Sequence, residues 1–131
     1  MQPIGGLILA AGEGRRFGSP KQLAPLHGRP LLEHALAAME GARSVGPVVV
    51  VLGAHAQAIL DAVALHGAHA IVAADWAEGQ AASLRAGVGE LAARVEAIAI
   101  TLGDQPAMTA AAIDAVAGAR DGESVAVRAT P

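Results

Sequence analysis

Short apolar runs alternate along the chain with stretches in which apolar residues recur at helical spacing. The runs are continuous and have no polar face, which is typical of parallel strands that are covered on both sides. They predict strands over residues 4–9, 47–52, 69–73 and 97–102, and residues 124–127 are expected to begin a fifth strand.

Four helices are predicted from apolar positions spaced three and four residues apart. The first is expected to begin at Pro30 and end at Gly41, the second to end near Gly67, and the fourth to be capped by Thr109. The predicted buried stripes are, in chain order, Leu32, Ala35, Leu36 and Met39; Ile59, Leu60 and Val63; Leu84, Val88, Leu91 and Val95; and Ile113 and Val116.

This alternation predicts one three-layer α/β/α Rossmann-like domain over residues 1–131, with a mostly parallel sheet. Right-handed crossovers place the carboxyl ends of the strands at one edge, and ligands bind at that edge in open sheets of this kind. We therefore expect four loops to share one cleft: residues 10–21, 53–55, 74–83 and 103–106.

Composition narrows the classes of function. Hydrophobic residues make up 53% of the chain, aromatic residues only 2%, and the formal charge is −3, so neither a stacking platform nor a basic face for nucleic acid is expected. The absence of cysteine excludes disulfides and cysteine nucleophiles. No signal peptide and no run near the roughly 20 apolar residues of a membrane span is recognised, which favours a cytoplasmic protein.

Residues 10–21, which we call the glycine loop, combine backbone freedom with positive charge. The spacing of Gly12, Gly14 and Gly18 fits neither the dinucleotide fingerprint nor the P-loop. Glycines nevertheless let backbone N–H groups approach an oxyanion, and Arg16 and Lys21 add cationic donors. A phosphate-binding loop is the favoured interpretation, and an ordinary surface loop with solvated charges is the alternative.

Four segments of the chain resemble one known family. They are LAAGEGRRFGSPK at 9–21, QLAPLHGRPLLEH at 22–34, GQAASLRAG at 79–87 and LGDQP at 102–106. Together, and in this order, they resemble the nucleotidyltransferases similar to molybdenum cofactor cytidylyltransferase, from residue 7 to about residue 109. The combination is more specific than any one segment.

The resemblance implies that a nucleoside monophosphate, most readily CMP from CTP, is transferred to a phosphate monoester such as molybdopterin cofactor, with release of pyrophosphate. The implied catalytic residues are Arg16 and Lys21, which neutralise phosphate charge, and Asp104, which binds Mg²⁺, with Mn²⁺ as an alternative. The implied nucleotide-binding residues are Leu9, Ala10, Ala11, Gly12, Glu13, Gly14, Arg16, Lys21, Gly79, Gln80 and Ser83.

Each of these roles has a competing interpretation. Asp104 could simply form a turn, Ser83 could satisfy backbone donors at a helix start, and Arg85 could pair at the surface. Ala11 and the GQAAS segment favour cytidine as the base. Guanylyltransferases and sugar-phosphate or alditol-phosphate nucleotidylyltransferases remain alternatives. A non-catalytic nucleotide-binding module and a purely structural domain are the other classes.

The family's members are longer than this chain. We therefore expect the acceptor-binding half to be largely missing, the sequence to be a fragment or half of an assembly, and its activity alone to be weak. An exposed sheet edge would favour pairing with a second copy or a partner chain.

Overall fold

A computed structural model of the chain describes residues 2–12, 21–103 and 109–119. Its main feature is a sheet of four parallel strands in the order β5-β4-β1-β6, beside a small antiparallel hairpin of β2 and β3. The strands are β1 (Gln2–Ala10), β2 (Pro25–Leu26), β3 (Arg29–Pro30), β4 (Val48–Leu52), β5 (His69–Val72) and β6 (Val95–Leu102). The expected parallel sheet is confirmed.

Helices cover both faces of this sheet. They are α1 (Leu31–Gly41), α2 (Ala56–Ala62), α3 (Gln80–Leu91) and α4 (Ala110–Ala119). Buried side chains of α1, α2 and α4 form one apolar cluster with Ile8 and Val50, whereas α3 forms a second cluster with Leu7 and Val51. Because successive residues of a strand face opposite ways, the two clusters lie on opposite faces, and the three-layer α/β/α architecture is confirmed.

The helical stripes are mostly where the sequence places them. In α1, Leu32, Ala35, Leu36 and Met39 are all buried, as predicted. The predicted cap of α4 is present, because the backbone N–H of Ala112 donates to Oγ1 of Thr109 at 3.1 Å. Ile113 is 4% exposed and belongs to the α1 side of the core.

Two residues of the predicted stripes are placed differently. Leu60 is 39% exposed, because α2 is a short helix that turns Ile59 to the core and carries the next residue about 100° away. Val95 is the first residue of β6, where it pairs with Gln2, because α3 already ends at Leu91. The side chain of Val116 and the predicted strand at 124–127 lie outside the described residues.

The hairpin of β2 and β3 is an element that the apolar pattern does not predict. His27 and Gly28 form its turn with φ values of 51° and 79°, the left-handed conformations of a type I′ turn. His34 of α1 holds the hairpin through a 2.7 Å hydrogen bond between its ring Nε2 and the carbonyl oxygen of Leu26.

Among the described strands, β5 and β6 form the two edges of the sheet. Each edge carries an exposed aliphatic side chain, Val72 at 57% and Ile100 at 47%. None of the described helices is long and apolar enough to cross a membrane.

Candidate functional site

The carboxyl ends of the four parallel strands meet at one edge of the sheet, as the sequence predicts. The backbone N–H of Gly103 donates to the carbonyl oxygen of Leu9 at 2.9 Å, and that of Ala73 donates to Leu52 at the same distance. The segments that follow β1 and β6 therefore leave the sheet side by side. This edge holds the start of the glycine loop and the residue that precedes Asp104.

Solvent exposure increases from Ala10 to Gly12, where the chain passes from β1 into the glycine loop. Ala10 is 2% exposed, Leu9 and Ala11 are partly exposed, and Gly12 is exposed. Backbone groups at Ala11 and Gly12 are thus the first in this segment that a ligand above the sheet could reach. The expected nucleotide-binding role of Leu9, Ala10, Ala11 and Gly12 remains a prediction, and the structure places these four residues at the appropriate edge.

Gly53, directly after β4, allows the neighbouring segments to come together. A Cβ atom at this position would lie 2.7 Å from the carbonyl oxygen of Ala11 and 2.7 Å from Cβ of Trp76. Real side chains do not tolerate such distances, so only glycine fits between these two residues without displacement. Gly53 thereby joins the glycine loop to the segment after β5.

The segment from Trp76 to Ser83 forms the third part of this edge. A short 3-10 turn, Trp76–Glu78, ends at Gly79, whose backbone N–H donates to the carbonyl oxygen of Trp76 at 3.1 Å. Gly79 has φ +114°, a conformation that other residues rarely adopt, and it is the N-cap residue directly before α3. The contact at Gly53 therefore brings the start of α3 towards the glycine loop.

Ser83 and Gln80 have different environments within α3. Ser83 is 2% exposed on the buried side of the helix, whereas Gln80 and Arg85 are exposed. The N-cap residue of α3 is Gly79, and Ser83 is the fourth residue of the helix. Backbone N–H groups in the first turn of an α-helix have no partner within the helix, so a ligand at the start of α3 would meet hydrogen-bond donors.

Gln22, the first residue of the QLAPLHGRPLLEH segment, lies buried at the end of the glycine loop. It lies in a 3-10 turn, Lys21–Leu23, and is 6% exposed. Its Nε2 donates to the carbonyl oxygen of Ala10 at 3.1 Å. Glutamine is mostly an exposed residue, so the sequence does not predict that Gln22 is buried. The only sequence signal for a role of Gln22 is its position directly after Lys21.

The residues that carry most of the implied chemistry lie outside the described residues. These are Glu13, Gly14, Arg16 and Asp104, together with the side chain of Lys21. The described chain contains no group of three or more His, Asp or Glu residues placed to hold a metal ion. The assignments to Arg16, Lys21 and Asp104, including Mg²⁺ at Asp104, therefore stay predictions.

A carboxylate of α4 makes a charged contact with the segment that follows α1. Asp114 of α4 accepts hydrogen bonds from the backbone N–H groups of Arg43 and Ser44, at 3.1 and 2.9 Å, and from the Ser44 hydroxyl. These bonds lower the pKa of Asp114, the Ser44 hydroxyl having the largest effect. Because Ser44 precedes β4, this contact lies at the edge opposite the candidate site and serves to join α4 to the end of α1.

A second charged group links α1 to the turn before β5. The ring of His66 lies between two carboxylates, with Nδ1 3.2 Å from Glu40 and Nε2 3.5 Å from Glu33. The two carboxylates approach different ring nitrogens, so the three side chains do not converge on one point. The group is consequently a contact between elements and not a metal site.

Comparison with known proteins gives a consistent match. The family model described as the MobA-like NTP transferase domain matches residues 6–131. The chain is 40% identical over 111 residues to nicotine blue oxidoreductase of Paenarthrobacter nicotinovorans, covering 81% of this chain and 52% of that protein. It is 35% identical over an alignment of 132 positions to 2-C-methyl-D-erythritol 4-phosphate cytidylyltransferase of Streptomyces avermitilis, covering 95% of this chain and 53% of that protein.

The solved structures agree with this match. The crystal structure of Rv0371c from Mycobacterium tuberculosis superposes with a TM-score of 0.81 at 34% identity, covering 89% of this chain and 60% of that one. The same protein is also known as a complex with manganese, which superposes with a TM-score of 0.72 at 30% identity, covering 88% and 58%. The chain spans about half the length of the curated relatives that it matches.

Proposed function

The chain belongs to the MobA-like NTP transferase family, and on that premise we propose that it forms the nucleotide-binding part of a nucleotidyltransferase. The observation that carries this proposal is the hydrogen bond between Gly103 and Leu9, at 2.9 Å. It brings the backbone that leads to Asp104 beside the backbone that begins the glycine loop. A triphosphate held by the loop would then lie close to a carboxylate suited to a cation.

The proposed reaction transfers CMP from CTP to a phosphate monoester. An oxygen of the acceptor phosphate attacks the α-phosphorus and forms the new P–O bond. The bond from the α-phosphorus to the bridging oxygen breaks, and that oxygen leaves with pyrophosphate. Negative charge develops on the phosphate oxygens, so catalysis depends mainly on positioning and electrostatic stabilisation.

The residues of this chain supply the positive groups that such a reaction needs. Backbone N–H groups from Ala11 onward would face the phosphates, while Arg16 and Lys21 neutralise their charge, and residues 79–85 would lie near the base and ribose. An acceptor phosphate monoester is largely ionised at neutral pH, because its second pKa is about 6. No general base is required, which agrees with a chain in which no catalytic triad is recognised.

A divalent cation is part of the proposal through Asp104. The described residues add no further cluster of ligands, so the fit rests on this one carboxylate and on ligand phosphate oxygens. When bound, the cation would neutralise charge on the triphosphate. Mg²⁺ is proposed, with Mn²⁺ as an alternative supported by the manganese complex of the mycobacterial relative.

Cytidine is the base that we propose. It is supported by Ala11, by the GQAAS segment, and by the cytidylyltransferase name of the Streptomyces relative. Molybdopterin cofactor is proposed as the acceptor from the resemblance of the four segments. Residues 1–131 are proposed as one domain, with the acceptor site largely in the part of the relatives that this chain does not span.

A redox activity is the second candidate, favoured by the 40% identity to an enzyme named an oxidoreductase. The two candidates differ in ligand. A nucleotidyltransferase requires a nucleoside triphosphate, whereas an oxidoreductase requires an electron carrier, for which nicotinamide dinucleotides are a suitable probe.

Calorimetric titration with CTP, GTP, UTP, ATP and NADPH, each with Mg²⁺, separates these candidates, beside an assay of pyrophosphate release. We expect CTP to bind most tightly. Preference for GTP would overturn the cytidine assignment, and preference for NADPH would favour the redox candidate. Failure of every triphosphate to bind would overturn the proposed function.

A further inference from the structure

The side chain of Gln22 connects the two ends of the glycine loop. Lys21 and Gln22 lie where the loop ends, and Ala10 is the last residue of β1, where the loop begins. Nε2 of Gln22 donates to the carbonyl oxygen of Ala10 at 3.1 Å, across twelve positions of sequence. Both residues are buried, at 6% and 2% exposure, so the bond is shielded from water.

The orientation of the Gln22 amide follows from this bond. The carbonyl oxygen of Ala10 accepts hydrogen bonds only, so the NH₂ group and not Oε1 must face it. Oε1 is buried, and among residues 2–12, 21–103 and 109–119 it has no hydrogen-bond partner. A buried polar atom without a partner is unfavourable, and a polar residue at this position needs a compensating role.

We propose that Gln22 is a positioning residue, which holds Lys21 and Ala10 at a fixed separation so that the glycine loop is preorganised for the triphosphate. This inference rests on the proposed function. Gln22 is only 6% exposed and one N–H of its amide is held by Ala10, so its main contact is with the backbone and not with a ligand above the sheet. Gln22 therefore acts through the backbone on either side of the loop.

The consequence is a selective effect on phosphate binding. Fixing a binding loop before the ligand arrives lowers the entropy that binding must remove. Removing the hydrogen bond between Gln22 and Ala10 should therefore weaken most the binding of those ligands that make the most contacts with the glycine loop. A triphosphate should be affected strongly, and a monophosphate held mainly through its base near α3 should be affected little.

Gln22→Met tests this difference, because methionine keeps the length of the side chain and loses the amide. We expect CTP to bind roughly two- to tenfold more weakly, the range that one net hydrogen bond implies, and CMP to change less than about twofold. Gln57→Met is the matched control, since Gln57 is exposed on α2 and bonds Asp61 of the same helix at 2.9 Å. It should leave both affinities unchanged.

Gln22→Glu provides a second readout, which a general loss of stability would not produce. At neutral pH the carboxylate faces the Ala10 carbonyl as acceptor against acceptor, whereas a protonated carboxyl can donate. The loss of CTP affinity relative to wild type should be large at pH 7.5 and smaller at pH 5. The ratio of wild-type to Gln22→Met affinity for CTP should stay constant over this pH range. If Gln22→Met does not fold, the pH dependence of Gln22→Glu tests the proposal.

The outcomes for the two proposals are distinct. If wild type binds no triphosphate, the proposed function is wrong. If wild type binds CTP, and the Gln22 variants lose CTP and CMP affinity equally or lose neither, the positioning role of Gln22 is wrong while the proposed function stands. Selective loss for CTP, with recovery of Gln22→Glu at low pH, supports both.

Discussion

Gly103 donates its backbone N–H to the carbonyl oxygen of Leu9 at 2.9 Å, so the chain leaving β6 runs beside the chain leaving β1. These two strands pair in parallel, with Leu9 opposite Leu102. The glycine loop and the segment that begins at Asp104 therefore start from adjacent points. The proposed triphosphate and cation sites depend on this adjacency.

Substitution of Gly53 should disturb the same edge. In Gly53→Ala the new methyl group would lie 2.7 Å from the carbonyl oxygen of Ala11 and must displace it. We expect a loss of about 1–3 kcal/mol in the free energy of unfolding, the usual range for overpacking, together with weaker CTP binding. Chemical denaturation and calorimetry measure the two effects.

Gly89→Ala is the control for Gly53→Ala, because a Cβ at Gly89 of α3 meets nothing within 4 Å. Replacing an exposed helical glycine with alanine should stabilise the protein by up to about 1 kcal/mol and leave CTP affinity unchanged. Equal behaviour of the two variants would contradict the close packing assigned to Gly53.

Asp114 should make stability depend on pH in the acidic range. The Ser44 hydroxyl, followed by the backbone N–H groups of Ser44 and Arg43, lowers its pKa below the usual 3.8. The stabilising contribution of a carboxylate with a lowered pKa is complete above its unfolded-state pKa and disappears as pH falls through the folded-state pKa. The advantage of wild type over Asp114→Asn should therefore be present at pH 5–7 and shrink below about pH 3.8.

Urea denaturation of wild type, Asp114→Asn and Ser44→Ala over this pH range measures the effect. Ser44→Ala removes the largest contribution to the lowered pKa and should show a smaller pH dependence than wild type. A constant difference between wild type and Asp114→Asn at every pH would show that Asp114 does not titrate differently in the folded state.

Two adjacent residues of α2 should respond very differently to truncation. Ile59 is fully buried and Leu60 is 39% exposed. Ile59→Ala should reduce the free energy of unfolding by about 2–5 kcal/mol, because it removes buried methyl groups and leaves a cavity. Leu60→Ala should change it by less than about 1 kcal/mol. Chemical denaturation measures both changes. A large loss of unfolding free energy for Leu60→Ala would contradict the orientation of α2, in which Ile59 and not Leu60 faces the sheet.

The apolar pattern predicts the long elements well, because burial on one side leaves a regular period. The four buried residues of α1 follow from that period, and the strand at 48–52 follows from its unbroken β-branched run. The predicted stripe of the third helix extends to Val95, although α3 ends at Leu91. Val95 is the first residue of β6, but it lies four positions after Leu91, which is also a helical spacing. It also misses β2 and β3, whose two residues each are too few to show a period.

The candidate site is predictable in part. The glycine loop, the GQAAS segment and the LGDQP segment are visible as motifs, and the parallel topology brings their described parts to one edge. Gln22 and Gly53 are not recognisable in the same way. Their importance comes from a tertiary hydrogen bond and from a tertiary contact, and neither leaves a local pattern.

Titration of MgCTP into Arg16→Ala and Arg15→Ala tests most directly whether the glycine loop holds a triphosphate. The two arginines are neighbours, and only Arg16 is assigned to the phosphates. Losing one charge-assisted phosphate contact should cost about 1.5–3 kcal/mol, so Arg16→Ala should bind CTP roughly ten- to 150-fold more weakly, while Arg15→Ala binds nearly as wild type. Unchanged affinity in Arg16→Ala, or equal loss in both variants, would contradict a specific phosphate-binding loop.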